Sequence, residues 1–306
     1  MLRALKIADG KLTETWPEDA QVLVYVAPDE AEKRHLADDL KVDEHTLSSS
    51  LDPDELSRLE FEPEHAAMIL KRPKNYSSED NFVFKVVSTG MFLFKDRLIV
   101  VLAEDGPLFE GRPFLKITSL PDLILKMIYR AIFHFEEHLK VINMISSSLE
   151  QEINTAMENR HLINMFSLEK SLVYFVNSLN SNAALLEKLR NTAAKIGFTT
   201  EEMEFLDDLI IENNQCSKQA EMYSNIIASL MDARASIVSN NLNVLMKTLN
   251  IVAIAVMLPT LVVSVFSMNV ALPLPQERHL WPFWLVVALA VGSVACVVWV
   301  WRRKRL

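Results

Sequence analysis

Small and polar side chains recur at a regular spacing through the apolar region near the end of the sequence. Their positions advance alternately by four and three residues, so they share one face of a single helix. A face with this period usually carries leucine, isoleucine or valine, whereas this one is mostly small or polar. We call this face the polar stripe. It comprises Asp232, Ser236, Ser239, Asn243, Met246, Asn250, Ala253, Met257, Thr260, Ser264 and Ser267.

Two interpretations fit such a stripe inside a membrane, where polar groups are costly unless they face a partner or a water-filled path. Small residues and hydroxyls also join neighbouring membrane helices, so a helix-packing seam is one interpretation. The stripe continues from Asp232 to Ser267, and this continuity favours a wet path through the bilayer. Met246, Leu249 and Met257 would then supply apolar constrictions that gate by dewetting.

Two uncharged runs provide the membrane segments. No charged residue occurs in residues 248–276 or 280–301, and each run is long enough to cross a hydrocarbon core of roughly 30 Å as a helix. Pro259 interrupts the first run, which membrane helices tolerate when neighbouring helices cover the freed carbonyl. Two spans from one chain cannot enclose a pore. A ring of identical copies is therefore required, with the first span lining it.

The basic residues predict a cytoplasmic location for both ends of the chain. Lys247 precedes the first span, RRKRL follows the second, and the loop between the spans offers only Glu277 and Arg278 as charges. The positive-inside rule then places the loop outside and the rest in the cytoplasm. The N-terminus has no apolar core of signal-peptide length. We expect a multi-pass protein of the inner (cytoplasmic) membrane.

The region before the spans divides into two parts. Up to about residue 120, β-branched and aromatic runs bounded by turn residues favour an α+β domain. The runs interpreted as strands are 21–28, 65–73, 81–104 and 114–118, and the residues interpreted as opening short helices are Asp29, Asp43 and Asp52. The fold class expected for the chain is thus an α+β cytoplasmic domain, then long α-helices, then two C-terminal transmembrane helices.

Helical periodicity dominates from residue 121 onward. It predicts helices over about 121–157 and 167–195, and a third from residue 199 with no breaker before Pro259. Thr199 and Glu202 have the spacing of a capping box at its start. The resulting division is a cytoplasmic α/β domain (1–120), a helical hairpin and stalk helix (121–247), transmembrane helix 1 (248–267), an extracytoplasmic loop (268–279), transmembrane helix 2 (280–301) and a basic cytoplasmic tail (302–306).

Composition and motifs argue against several other functions. The net charge of −9 and the lack of a basic stripe argue against nucleic-acid binding. There is no glycine-rich phosphate loop, so ATP-driven pumping is not expected, and we predict no catalytic residues. His134 and His138 form an H-x-x-E-H sequence that could grip a metal, but no third ligand stands out, which favours a solvated or interhelical face. Cys216 and Cys296 fit no metal or disulfide pattern.

Residues 229–269, SLMDARASIVSNNLNVLMKTLNIVAIAVMLPTLVVSVFSMN, resemble the CorA family of magnesium transporters, two-span proteins with a Gly-Met-Asn signature. The basic end WVWRRKRL and residues 168–189 are similar to the family's second span and cytoplasmic helical hairpin. The resemblance continues more weakly through the N-terminal part. It implies a funnel-shaped homopentamer that conducts Mg²⁺ inward through a central pore, with Co²⁺ and Ni²⁺ as further candidate ions.

The resemblance also implies roles for single residues. Asn269 matches the signature asparagine, whose ring of side-chain carbonyls receives the ion at the pore mouth beside Ser267 and Met268. Mg²⁺ gives up its water reluctantly, so neutral oxygens that bond a hydrated ion suit a first filter. Asp232 and, less directly, Asp208 match sites for a regulatory Mg²⁺; no other cofactor is expected. The candidate pore-lining and gate residues are Asn243, Met246, Leu249, Asn250, Ala253, Met257, Thr260 and Ser264.

The sequence departs from the family pattern at the mouth. Ser267 stands where the family has glycine, Phe266 replaces a tyrosine, and the following loop lacks an acidic motif. Three functions therefore stay open: a channel-like Mg²⁺ transporter, a transporter of Zn²⁺ or another cation with the same fold, and a non-conducting membrane-anchored scaffold. The expected partners are further copies of the chain, the lipid bilayer and divalent cations.

Overall fold

A computed structural model describes residues 1–77, 80–106, 108–155, 159–268 and 280–304. The chain divides into two compact units, Met1–Met231 and Asp232–Leu306.

The first unit is built on a seven-stranded sheet. Its strands are β1 (Leu2–Ala8), β2 (Lys11–Glu14), β3 (Val22–Val26), β4 (Arg58–Phe61), β5 (Ala66–Pro73), β6 (Val86–Leu93) and β7 (Leu98–Leu102). They lie in the order β2-β1-β3-β7-β6-β5-β4. The central pair of β3 and β7 is parallel, and the other neighbouring pairs are antiparallel.

Helical structure covers both faces of this sheet. A π-helical turn (His35–Asp39), which follows the short helix α1 (Glu30–Arg34), and α2 (Glu44–Leu51) pack on one face. The long helices α3 (Leu120–Thr155) and α4 (Asn159–Asn191) pack on the other. Alternate residues of β3 join opposite clusters, Leu23 under α2 and Val24 under α3 and α4. Burial on both faces explains why this strand is apolar throughout.

Several local predictions are confirmed. Asp29 caps α1 and forms a capping box with Glu32, and Asp43 caps α2 through the amide of Thr46. The runs 21–28 and 65–73 contain β3 and β5, and the run 81–104 folds as the antiparallel pair β6 and β7.

Other local predictions are wrong or incomplete. Residues 114–118 do not form a strand, because Pro113 sits at the start of a 3-10 helix, Arg112–Leu115. Asp52 does not open a helix; it is the C-cap of α2, with an extended backbone. Three short strands, β1, β2 and β4, were not predicted, since their polar side chains hide the apolar pattern.

The carboxylate of Glu202 holds the starts of two long helices. After the short helix α5 (Ala193–Ile196), α6 begins at Thr200 and runs to Phe266. One oxygen of Glu202 accepts from the Thr199 amide at 2.7 Å, and the Thr199 hydroxyl accepts from the Glu202 amide at 3.3 Å, which confirms the capping box. The other oxygen accepts from the Ser119 hydroxyl at 2.6 Å, and Ser119 in turn caps α3 through the Asp122 amide.

Asn182 joins α4 to the edge of the sheet. The pairing of β5 with β4 ends at Ile69, so the backbone of Lys71 has no strand partner on that side. The Asn182 side chain takes the place of a strand: its oxygen accepts from the Lys71 amide at 3.0 Å and its nitrogen donates to the Lys71 carbonyl at 2.9 Å. The same oxygen accepts from the Ser57 hydroxyl.

The second unit contains the C-terminal part of α6 and α7 (Trp281–Lys304). Both helices include a stretch long and apolar enough to cross a membrane, with mean hydropathy of 2.4 and 2.5.

Candidate functional site

The polar stripe lies on the uncovered face of α6. Every stripe residue from Asp232 to Ser267 is exposed in the single chain. The partly covered positions of this segment, among them Ile251, Ala255 and Val262, lie elsewhere on the helix. A helix turns roughly 100° per residue, so the centres of these two faces lie roughly 180° apart.

Another part of the surface of α6 lines a groove toward α7. Ile251, Ile254 and Leu258 line a groove of about 950 Å³ together with residues of α7 such as Val297 and Trp301. The stripe is therefore not buried against the chain's own second span. Asn250, at the border of the stripe, also lines this groove.

Two hydroxyls of the stripe donate to backbone carbonyls of α6. Thr260 Oγ1 donates to the Val256 carbonyl at 2.7 Å, and Ser267 Oγ donates to the Ser264 carbonyl at 2.9 Å. A hydroxyl that has donated its hydrogen keeps lone pairs free to accept. These oxygens are thus suited to accept hydrogen bonds from water, including the water shell of a cation.

Thr248 is a polar residue of the first apolar run that lies on α6 but off the stripe. It lines the groove toward α7, and its Oγ1 donates to the Val244 carbonyl at 2.9 Å. It therefore has the same local bond as Thr260 on a different side of the helix.

Three large apolar side chains project from the stripe side. Met246, Leu249 and Met257 are 62%, 68% and 67% exposed. Leu249 lies one turn from both Met246 and Ala253 and so extends the stripe laterally. Their size and exposure suit apolar constrictions between copies of the chain.

The candidate pore-mouth residues fall at the edge of the described structure. Ser267 lies in a turn after α6, and its amide donates to the Val263 carbonyl at 3.1 Å. Its φ is not among the positive values found for described non-glycine residues, so serine fits this position without left-handed strain. Met268 is exposed. Asn269 and the loop with Glu277 lie outside the described residues.

The two candidate regulatory carboxylates, Asp208 and Asp232, are both exposed on α6. Within the part of the chain that the structure describes, no group of three or more histidine, cysteine, aspartate or glutamate side chains is placed to hold a metal. A metal held by either aspartate would therefore need ligands from water or from another copy.

The H-x-x-E-H residues on α3 are core residues. His134 and His138 are 9% and 7% exposed, and their ring centroids lie 4.4 Å apart. Burial lowers the pKa of His134 to about 3, helped by the nearby charges of His138 and Arg130, and burial lowers the pKa of His138 to about 4. Glu137 pairs with Arg130 at 3.0 Å. The solvated interpretation is wrong for both histidines; the interhelical one holds for His138, which lies against Phe175 of α4, whereas His134 lines a small cavity with Leu70 and Arg72 of β5.

A basic cavity in the first unit was not predicted. Lys71, Lys85 and Lys170 line it, although they are far apart in sequence. The one available signal was the pair Lys71-Arg72 at the end of an otherwise apolar run, since two cations in a buried strand require partners.

The chain matches known proteins over nearly its whole length. The family model described as CorA-like Mg²⁺ transporter protein matches residues 22–303. The cobalt/magnesium transport protein CorA of Methanocaldococcus jannaschii is 26% identical over 311 residues, which cover 97% of this chain and 95% of that protein.

Solved structures show the same fold. The complete CorA magnesium transporter of M. jannaschii matches with a TM-score of 0.79 at 22% identity, over 99% of this chain and 96% of that one. The full-length CmaX protein matches with a TM-score of 0.74 at 16% identity, over 100% of this chain and 97% of that one. The family match spans both units and both apolar helices, and so this chain belongs to the CorA-like Mg²⁺ transporter proteins.

Proposed function

We propose that this chain forms a homopentamer in the inner membrane and conducts hydrated Mg²⁺ into the cytoplasm through a central pore. The observation that carries the proposal is the polar stripe, which is exposed along α6 and, apart from Asn250, does not line the groove toward α7. Exposed polar groups in a lipid environment are costly. Copies arranged with their stripes inward remove that cost by enclosing water, with α7 on the outside.

The remaining parts of the proposal combine this arrangement with the family resemblance. Asn269 receives the hydrated ion, the stripe oxygens accept from its water shell, and the apolar side chains at Met246, Leu249 and Met257 close the path by dewetting. Both chain ends lie in the cytoplasm, as the basic tail favours. Asp232 and Asp208 bind regulatory Mg²⁺ between copies, where carboxylates of two chains meet.

A pair of adjacent substitutions tests the path. Ser264→Leu places a bulky side chain on the stripe, whereas Val265→Leu makes a similar change beside it. In proteoliposomes with a negative interior and a Mg²⁺ indicator, we expect Ser264→Leu to reduce flux more than tenfold and Val265→Leu to retain it. Equal flux in both variants would place the path elsewhere.

The mouth and the ion are tested in the same assay. Asn269→Ala should abolish Mg²⁺ flux; undiminished flux would refute the role of Asn269. Competition among Mg²⁺, Co²⁺, Ni²⁺ and Zn²⁺ in the unmodified protein separates a Mg²⁺ pathway from one for another cation. Absence of flux for all four cations would contradict transport and favour a non-conducting membrane-anchored scaffold.

A further inference from the structure

The basic cavity of the first unit lies between the loop after α2, the adjoining ends of β5 and β6, and the middle of α4. Its volume is about 330 Å³, which is within the size range of small-molecule sites. Its lining residues are Pro53, Asp54, Leu56, Lys71, Val83, Lys85, Val86, Lys170, Tyr174, Asn177, Ser178 and Ser181.

Lys71 is the buried cation of this cavity. Its side chain is only 4% exposed, and its ammonium donates to the Ser88 hydroxyl at 3.0 Å and to the Pro53 carbonyl. Both acceptors are neutral. Within the described part of the chain, no carboxylate forms an ion pair with it. Burial lowers the pKa of Lys71, against the opposing effect of acidic side chains led by Asp52. A buried ammonium with only neutral acceptors is costly, and a bound anion would offset that cost.

Lys85 and Lys170 add two exposed ammonium groups to the lining. Neither forms an ion pair with a carboxylate of the described residues. Asp54 is the carboxylate that lines the same cavity. Within the lining three cations stand against one carboxylate, while Asp52 and Glu55 act on Lys71 from nearby. A phosphate monoester carries about −1.5 to −2 at neutral pH and suits a lining in which cations outnumber carboxylates.

The α4 side of the cavity offers a ring and neutral hydrogen-bonding groups. Tyr174 is 45% exposed, and the Lys170 ammonium lies 5.8 Å from its ring centroid. Asn177 and Ser178 follow on the same helix. An aromatic ring beside cations suits a stacked base, and a carboxylate such as Asp54 can accept from sugar hydroxyls.

We propose that this cavity binds a nucleoside phosphate, with the phosphate among Lys71, Lys85 and Lys170 and the base against Tyr174. The volume is too small for a nucleic-acid chain to be enclosed. The proposal does not depend on ion conduction.

Equilibrium binding to the full chain in nanodiscs tests the proposal, with AMP as the probe and no divalent cation present. We expect saturable AMP binding. Lys85→Gln and Lys170→Gln, both at exposed positions, should each weaken it about tenfold, as loss of a charge-assisted contact implies. Lys95→Gln, at an exposed lysine outside the cavity, should leave it unchanged.

Further ligands separate phosphate recognition from base recognition. Inorganic phosphate and ribose 5-phosphate should bind more weakly than AMP, and adenosine should bind more weakly still. Tyr174→Ala should weaken AMP but not inorganic phosphate. Adenosine binding as tightly as AMP, or AMP affinity unchanged in both lysine variants, would overturn the proposal. Lack of saturable binding by AMP would do the same.

Discussion

At the scale of single residues, the direction in which a hydroxyl donates decides what it can offer a passing ion. Thr260 donates to its own helix and keeps acceptor lone pairs on the stripe face. Thr248 has the same bond but faces the groove toward α7. The two threonines are therefore a matched pair.

Thr260→Val should slow Mg²⁺ flux in proteoliposomes, because it removes the acceptor while keeping the shape of the side chain. A lost hydrogen bond is worth about 0.5–1.5 kcal/mol, so we expect a reduction of roughly threefold or more. Thr248→Val should leave the flux close to that of the parent. Equal effects of the two substitutions would contradict a water-facing role for Thr260.

The buried histidines of α3 predict a pH dependence of stability. The folded-state pKa values of His134 and His138, about 3 and about 4, lie below the ordinary histidine pKa of 6.5. At any pH between these folded-state values and 6.5, the unfolded chain therefore binds more protons than the folded chain. The contribution of the two neutral histidines to the free energy of unfolding is fully present above about pH 6.5. It falls on acidification by up to about 1.4 kcal/mol per pH unit per histidine.

Thermal unfolding of the full chain between pH 7 and pH 4.5 measures this effect. His138→Phe should weaken the dependence, and phenylalanine suits the site because His138 lies against the rings of Phe84 and Phe175. A melting temperature that falls as steeply in this variant as in the parent would assign the acid sensitivity to other groups.

At the scale of elements, α4 is attached to the sheet by the amide of Asn182. Asn182→Ala removes two bonds to the Lys71 backbone and one to Ser57 in a fully buried location. Buried groups left unpaired cost about 1–3 kcal/mol each, so we expect a loss of about 2–4 kcal/mol in the free energy of unfolding. Chemical denaturation measures it. Asn177→Ala, at an exposed site on the same helix, should cost less than about 0.5 kcal/mol.

The elements that were predictable from sequence are those with a dense local signal. β3 and β5 are continuous apolar runs, and the starts of α1, α2 and α6 carry capping residues. β2 and β4 are edge strands that form hairpins with β1 and β5, their neighbours in sequence, and β1 also pairs with β3. Their short runs are mostly exposed or half-buried and so carry little apolar signal, because β propensity depends on the tertiary context of the strand.

At the scale of the whole molecule, the proposed assembly predicts which surface of α6 meets its copies. In a Cys296→Ser background, Ala253→Cys places a thiol on the stripe and Val252→Cys places one beside it. Mild oxidation should cross-link copies through position 253 and much less through position 252, as read on a non-reducing gel. Light scattering should give a protein mass near five times the 34.8 kDa of the chain. Stronger cross-linking through position 252 than through position 253 would show that the stripe does not face the central axis of the assembly.

The candidate sites differ in how far sequence alone could reveal them. The polar stripe was predictable because its residues repeat along one helix, so position fixes their common face. The lysine cavity was not, because Lys71, Lys85 and Lys170 meet only when α4 packs on the sheet. Whether copies enclose a pore is a property of the assembly, and a single chain encodes it only as an exposed polar surface.

Glu202 is an acidic residue at a position that we expect to be as sensitive to substitution as a leucine in the core. Each of its two carboxylate oxygens accepts a hydrogen bond at the start of a different helix, one from the Thr199 amide and one from the Ser119 hydroxyl. Glutamine supplies only one acceptor oxygen, and aspartate is one methylene shorter, so neither replaces both functions. In a saturation mutagenesis library selected for folded protein, position 202 should therefore tolerate almost no replacement, while its exposed neighbours Glu201 and Glu204 vary freely.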